Sequence, residues 1–182
     1  MRREKKLPPT IEWSLLGFLA EAPMHGYEIY QRLSEAAGLG IVWHIKQSHL
    51  YTILSRLEDR GYIAHVLEPQ EARPPRKVYS LTPEGDAALH TWLSSPVDHG
   101  RDFRLEFLAK LFFAQHGEGE TVRALLAAQR AACQAWCAEL EALVAQRGRD
   151  TYEGLVYRFR LGQIQAMAAW LDECAAVFGV EV

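Results

Sequence analysis

Six polar residues share one side of the segment QSHLYTILSRLEDRGYI, and together they could read a polyanion that carries its own hydrogen-bonding code. Gln47, Ser48, His49, Thr52, Ser55 and Arg56 face away from a stripe of Leu50, Ile53, Leu54 and Leu57. That stripe recurs at i, i+3, i+4 and i+7, the spacing that lines one side of an α-helix. No acidic residue interrupts the polar side before Glu58 and Asp59. Such a face can donate to base edges through Gln47, Ser48, His49 and Thr52 and to a phosphate through Arg56. A second set of cations, Arg73, Arg76 and Lys77, lies in the Pro-rich stretch EPQEARPPRK, where it would reach backbone phosphates or an adjacent minor groove. Taken alone a polar helix face is most often simply solvated, so its neighbours decide the reading.

Charge has to be concentrated locally for that chemistry to work, because non-specific affinity for nucleic acid comes mainly from phosphate neutralisation. The formal net charge of the 182 residues is -3, and residues 1–96 carry 11 Lys or Arg against 11 Asp or Glu. Cations cluster in the tail (Arg2, Arg3, Lys5, Lys6), at Lys46 and Arg56, and in the Pro-rich loop. Glu58, Asp59, Glu68 and Glu71 are expected on surfaces turned partly aside.

Other chemistries find little support. No GxSxG elbow, GxxxxGK phosphate loop or HExxH pair occurs, so no catalytic residues are assigned and an enzyme is not expected. The histidines are scattered singly, and Asp172 and Glu173 are adjacent and so do not face each other on a helix. Cys133, Cys137 and Cys174 fall inside helical patterns, which predicts reduced, buried thiols and no metal site. No cofactor is implied. A composition of 49% hydrophobic and 24% charged residues is ordinary for a globular protein. No apolar run approaches a membrane span, and MRREKK is followed by Pro8 and Pro9 rather than a signal-peptide core, so no membrane partner and a cytoplasmic location are expected.

The elements that would position the polar face can be placed around it. IEWSLLGFLAEAP reads as a short amphipathic helix stopped by Pro23, and HGYEIYQRLSEAAG as a second helix opening after Gly26 and closing at Gly38. Gly61 should end the third in an αL cap. Tyr62 to Leu67 and Val78 to Leu81 are short apolar strands, joined by the basic loop into a β-hairpin wing. Helix, helix, helix, strand, strand is the order of a winged helix-turn-helix, so the fold expected is mainly α.

Three pieces in register, PMHGYEIYQRL, HLYTILSRLEDRGYI and KVYSLTPEG, resemble the N-terminal domain of PadR-family transcriptional regulators over roughly Ile11 to Leu93. One departure is Lys46, which stands where the family usually carries a Ser or Thr helix cap, so that Ser48 or a frayed first turn would have to compensate. Tyr27 and Tyr51 occupy motif positions and read as packed aromatics with a hydroxyl at the edge. The resemblance implies repression and dimerisation through C-terminal helices.

After Pro96 the composition turns to Ala, Leu and Gln, with helices predicted over DFRLEFLAKLFFAQ, Glu120 to Arg147 and Tyr152 to Phe178. Residues 1–96 are thus expected to form the winged helix-turn-helix DNA-binding domain, with 1–9 a flexible basic tail. Residues 97–182 are expected to form a helical dimerisation domain with a candidate effector role. Trp92, Phe103, Phe107, Trp136 and Trp170 either line an effector pocket or form a core, and helical spacing favours the core. The partners expected are double-stranded DNA, a second copy of the chain, and a small aromatic or lipophilic effector. The function expected is a sequence-specific DNA-binding repressor working as a homodimer on an inverted repeat. The alternative is a winged-helix protein-interaction module, which salt-dependent binding to duplex DNA would exclude.

Overall fold

The computed structural model describes residues 10–35, 38–42, 46–70, 73–117 and 119–181, with the side chains of Gln70, Arg73 and Pro74 outside that description. The basic tail, His44 and Glu71 therefore lie outside the described residues. The chain divides into two compact units, Met1–Trp92 and Leu93–Val182, where the sequence reading places the division after Pro96.

In the first unit, helix α1 (Thr10–Glu21) is followed by a two-residue strand β1 (Met24–His25), helix α2 (Gly26–Ser34) and helix α3 (Gln47–Asp59). Strands β2 (Ile63–Gln70) and β3 (Arg73–Leu81) form the hairpin, and helix α4 (Pro83–Ser94) leads out. Both hairpin strands are longer than the apolar runs suggest, because cross-strand pairing continues through the polar residues as far as Gln70 opposite Arg73. The sheet order is β1-β3-β2, all antiparallel, so the short β1 supplies an unforeseen third strand that pairs Met24 with Tyr79.

The expectation of an amphipathic first helix is corrected. Every residue of α1 from Glu12 to Leu19 is buried, since α1 packs on α3 and β3 and its Trp13 stacks on Trp92. Leu50, Ile53, Leu54 and Leu57 of α3 are fully buried, as the 3 and 4 spacing requires.

The end of α3 shows how sequence sets local geometry. Gly61 has φ +76°, which L side chains rarely adopt, and this lets the Gly61 and Tyr62 N–H groups return to the carbonyls of Glu58 and Leu57. Helix α4 is tied to the same turn. Thr82 Oγ1 accepts from the Gly85 N–H at 3.0 Å while donating to the Gly61 carbonyl at 2.7 Å. Pro83 occupies the first helical turn, where its missing N–H costs nothing. A Cβ at Gly85 would stand 2.1 Å from the Tyr62 carbonyl oxygen, so the LTPEG piece is a cap, a starter and a close approach in sequence.

The second unit is helical. A 3₁₀ turn (Gly100–Arg104) precedes α5 (Glu106–Ala114), α6 (Gly119–Arg147) and α7 (Tyr152–Phe178). The last two form an antiparallel pair turned at Gly148 to Thr151, with Thr151 Oγ1 capping α7 at Gly154 N–H, 3.0 Å away. Their shared core contains Phe103, Phe107, Leu111, Leu125, Leu126, Cys133, Ile164, Leu171 and Cys174. Gln129, which interrupts the apolar spacing of α6, is fully buried and accepts the Val97 N–H at 2.8 Å. No helix among the described residues is long and apolar enough to cross a membrane.

Candidate nucleic-acid interface

The first turn of α3 carries three of the predicted base-reading residues side by side. Gln47, Ser48 and His49 are all exposed, and no side chain caps the helix at Lys46. The His49 N–H turns back to the Lys46 carbonyl at 3.0 Å, so the positive end of the helix dipole falls at the exposed Gln47 and Ser48, a place suited to an anion. Thr52 is exposed one turn on, but its hydroxyl donates to the Ser48 carbonyl at 3.2 Å. Its oxygen can still accept a bond and its methyl can make an apolar contact.

Tyr27 and Tyr51 are both roughly half exposed, more than packed aromatics would be. The Tyr51 ring lies so close over Gly26 that a Cβ there would stand 2.7 Å from its Cε1. The small residue in the HGY piece therefore lets α2 dock against α3.

Arg56 takes a different place from the one expected. It reaches toward Glu12 of α1, with Nη2 3.2 Å from Oε1, close enough for Coulomb attraction but outside hydrogen-bonding geometry. Arg60 completes the clamp with a 2.7 Å hydrogen bond to the other carboxylate oxygen. Glu12 is fully buried, so these two guanidinium groups compensate an otherwise costly buried charge and fix the C-terminal part of α3 on α1. Sequence reasoning missed Glu12. Its signal was a single carboxylate inside the apolar run IEWSLLGFLA.

On the wing, Arg73 opens β3, and Arg76 and Lys77 are exposed. Arg76 binds Glu68 through Nε at 2.7 Å and Nη2 at 2.6 Å, and Glu68 is its direct cross-strand partner. Lys77 Nζ stands 3.4 Å from Glu58 Oε2. The expectation that Glu58 and Glu68 turn aside is thus corrected: hairpin register and the last turn of α3 bring both onto the wing cations. His65 Nδ1 hydrogen-bonds Glu58 Oε1, and His25 Nε2 lies 3.8 Å from Glu68. The hydrogen bond from His65, helped by Lys77, holds the Glu58 carboxyl below the usual carboxylate range. Burial pushes the neighbouring Tyr79 hydroxyl up, with Glu58 adding to the effect.

The five aromatics considered for a pocket separate. Trp92 is buried in the first unit, stacked on Trp13 at 5.7 Å. Phe103 and Phe107 stack at 4.4 Å in the core of the second unit, with Trp170 edge-on to both. Trp136 lines a cavity. That cavity, of about 610 Å³, lies within the second unit between the 3₁₀ turn, α6 and α7, and includes Arg101, Arg104, Tyr157, Arg160 and Met167. Burial raises the thiols of Cys133 and Cys137, and that of Cys174 to about 11. Among the described residues no group of three or more His, Cys, Asp or Glu is placed to hold a metal ion.

A helix-turn-helix with a β-hairpin beside its third helix defines a winged-helix fold. Residues 15–91 match the Transcriptional regulator PadR-like family, and residues 103–178 match the Virulence activator alpha C-term family. Residues 15–91 are thus a PadR-like domain, of a family of transcriptional regulators rather than enzymes. It is 31% identical to the negative transcriptional regulator PadR of Bacillus subtilis over 104 residues, 57% of this chain and 56% of that protein. The chain spans about half the length of the curated relatives it matches. It is also similar to the crystal structure of Bacillus subtilis PadR in complex with operator DNA, at 24% identity and TM-score 0.46, covering 93% of this chain and 99% of the other. The crystal structure of the same protein with p-coumaric acid gives 23% identity and TM-score 0.43, covering 94% and 99%.

Proposed function

We propose that this chain is a sequence-specific DNA-binding repressor that acts as a homodimer on an inverted repeat and is released by a small aromatic effector. The observation that carries the reading is the uncapped first turn of α3, where Gln47, Ser48 and His49 project together from a helix whose opposite side is fixed by four buried aliphatic residues. A rigid backing matters because base-edge hydrogen bonds discriminate only when donors are held in place. Repression is supported by the 31% identical relative, itself a negative transcriptional regulator.

Dimerisation is supported by α7. Tyr152, Leu155, Phe159, Gly162, Ala166, Ala169 and Ala176 are exposed on a spacing of 3 and 4 broken only by Glu173, a seam suited to a second helix, with small residues allowing close approach. A two-fold dimer would set two α3 helices into successive major grooves, about 34 Å apart. For the effector, the cavity beside Trp136 and Tyr157 offers ring surfaces, while Arg101, Arg104 and Arg160 suit a carboxylate.

Selection of bound sites from random duplexes tests the reading. An inverted repeat with half-sites roughly 10 base pairs apart is expected. Failure to bind any duplex in a salt-dependent way would overturn it in favour of a protein-interaction module.

A further inference from the structure

We infer that Glu58 and Glu68 determine specificity, by competing from within the molecule with DNA phosphate for the wing cations. This rests on the DNA-binding reading above and adds to it a pair of acidic residues that no base or phosphate would be expected to touch. Three cations assigned to phosphate from the sequence have described side chains, Arg56, Arg76 and Lys77, and each stands on a carboxylate. The three pairs are not alike. Arg56 belongs to the clamp on the fully buried Glu12, which ties α3 to α1 and cannot be dismantled without disturbing the fold.

Arg76 and Lys77 form the other kind of pair. Both side chains are 45% exposed and their carboxylate partners reach solvent, Glu68 at 48% and Glu58 at 27%, so a phosphate can approach and exchange. A carboxylate oxygen and a phosphate oxygen present the same kind of acceptor to a guanidinium or ammonium group. The Glu68 pair is also positioned in advance, because Glu68 and Arg76 are directly opposed in the β2–β3 ladder. Lys77 is reached instead from the last turn of α3, so the reading helix itself carries the competitor.

The consequence follows from the origin of non-specific affinity. Each phosphate neutralised by a protein cation releases condensed counterions, which supplies binding free energy and the salt dependence. A cation already neutralised by its own carboxylate brings less to that exchange. The carboxylate left behind then repels the backbone. The balance of 11 basic and 11 acidic residues over 1–96 gives no excess charge to offset this. Non-operator DNA is therefore held weakly, and the contacts of Gln47, Ser48 and His49 decide residence. The other charged groups facing these carboxylates, His65 on Glu58 and His25 near Glu68, are also cationic when protonated and so weaken the competition.

Fluorescence anisotropy of the full chain on a mixed-sequence duplex and on a selected site, across a salt series, tests the inference. Glu58→Gln with Glu68→Gln should bind the mixed-sequence duplex roughly tenfold more tightly, with the log affinity against log salt slope steeper by roughly two. Glu68→Gln alone, at an exposed strand position that folding tolerates, should steepen it by about one. The preference for the selected site should fall in both. Should neither variant tighten non-specific binding while Arg76→Gln with Lys77→Gln weakens it, the competitor role is overturned and the DNA reading stands. Should all of these variants match a parent that binds, the wing does not contact DNA and the competitor role alone is overturned; a parent that binds neither duplex at any salt overturns the DNA reading as well.

Discussion

Glu12 and Glu58 show how differently two carboxylates behave when only one is buried. Glu12 has no solvent to stabilise it and relies on Arg60 and Arg56, so Arg56→Met with Arg60→Met leaves a buried carboxylate without its counter-charge at a helix junction. Breaking a buried pair in this way should cost about 3 kcal/mol, read as a lowered urea midpoint. Glu58 sits partly in solvent, with its carboxyl held below the ordinary range chiefly by the His65 hydrogen bond and next by Lys77. A carboxyl whose folded value is depressed binds fewer protons folded than unfolded, so stability rises with pH across the window. That contribution is complete above the ordinary carboxylate value and disappears as pH falls through the depressed one. Glu58→Gln should accordingly flatten the acid limb of stability as pH falls below the ordinary carboxylate value, measured by chemical denaturation at successive pH values.

Among the elements, α5 depends on a buried amine. Lys110 is almost fully inaccessible, and its Nζ donates to the Ser95 carbonyl at 2.8 Å, to Ser95 Oγ at 3.3 Å and to the Pro96 carbonyl at 3.4 Å, with Glu106 3.3 Å away. Burial pushes the amine below its ordinary value, partly countered by Glu106. The lysine thus ties the segment entering the second unit to α5. Lys110→Met keeps the aliphatic stem but removes the donor, and should lower stability by about 2 kcal/mol in thermal denaturation. A variant as stable as the parent would mean that water satisfies those carbonyls equally well. Helix α3 was legible in the sequence because its period, its Gly61 stop and its polar side all agree. Helix α1 was misread, since an all-round buried helix and an amphipathic one differ only in what packs against them.

At the scale of the whole molecule, a long helix with an apolar seam on its outer side calls for cover. Tyr152, Leu155 and Phe159 of α7 are exposed at 78%, 56% and 68%, an unusual burden for one helix in water. Leu155→Lys with Phe159→Glu should give a monomer by sedimentation while leaving the fold intact, because neither side chain contributes to the core described above. Loss of the proposed dimer should reduce affinity for an inverted repeat far more than for a single half-site, and a parent that already sediments as a monomer overturns the dimer. A variant that still sediments as a dimer would place the contact elsewhere.

Sequence by itself determined the two faces of α3: Leu50, Ile53, Leu54 and Leu57 fix which side is buried, and the polar side follows from helical geometry alone. The Gly61 stop and the Thr82 cap on the Gly85 N–H were equally local, depending on backbone conformations within a few residues. Tertiary structure alone decided what each charge does. Glu68 meets Arg76 through strand register, Glu58 meets Lys77 across 19 residues, and Glu12 meets Arg60 across 48. Local periodicity records which way a side chain points from its own element, whereas an ion pair depends on where two elements come to rest.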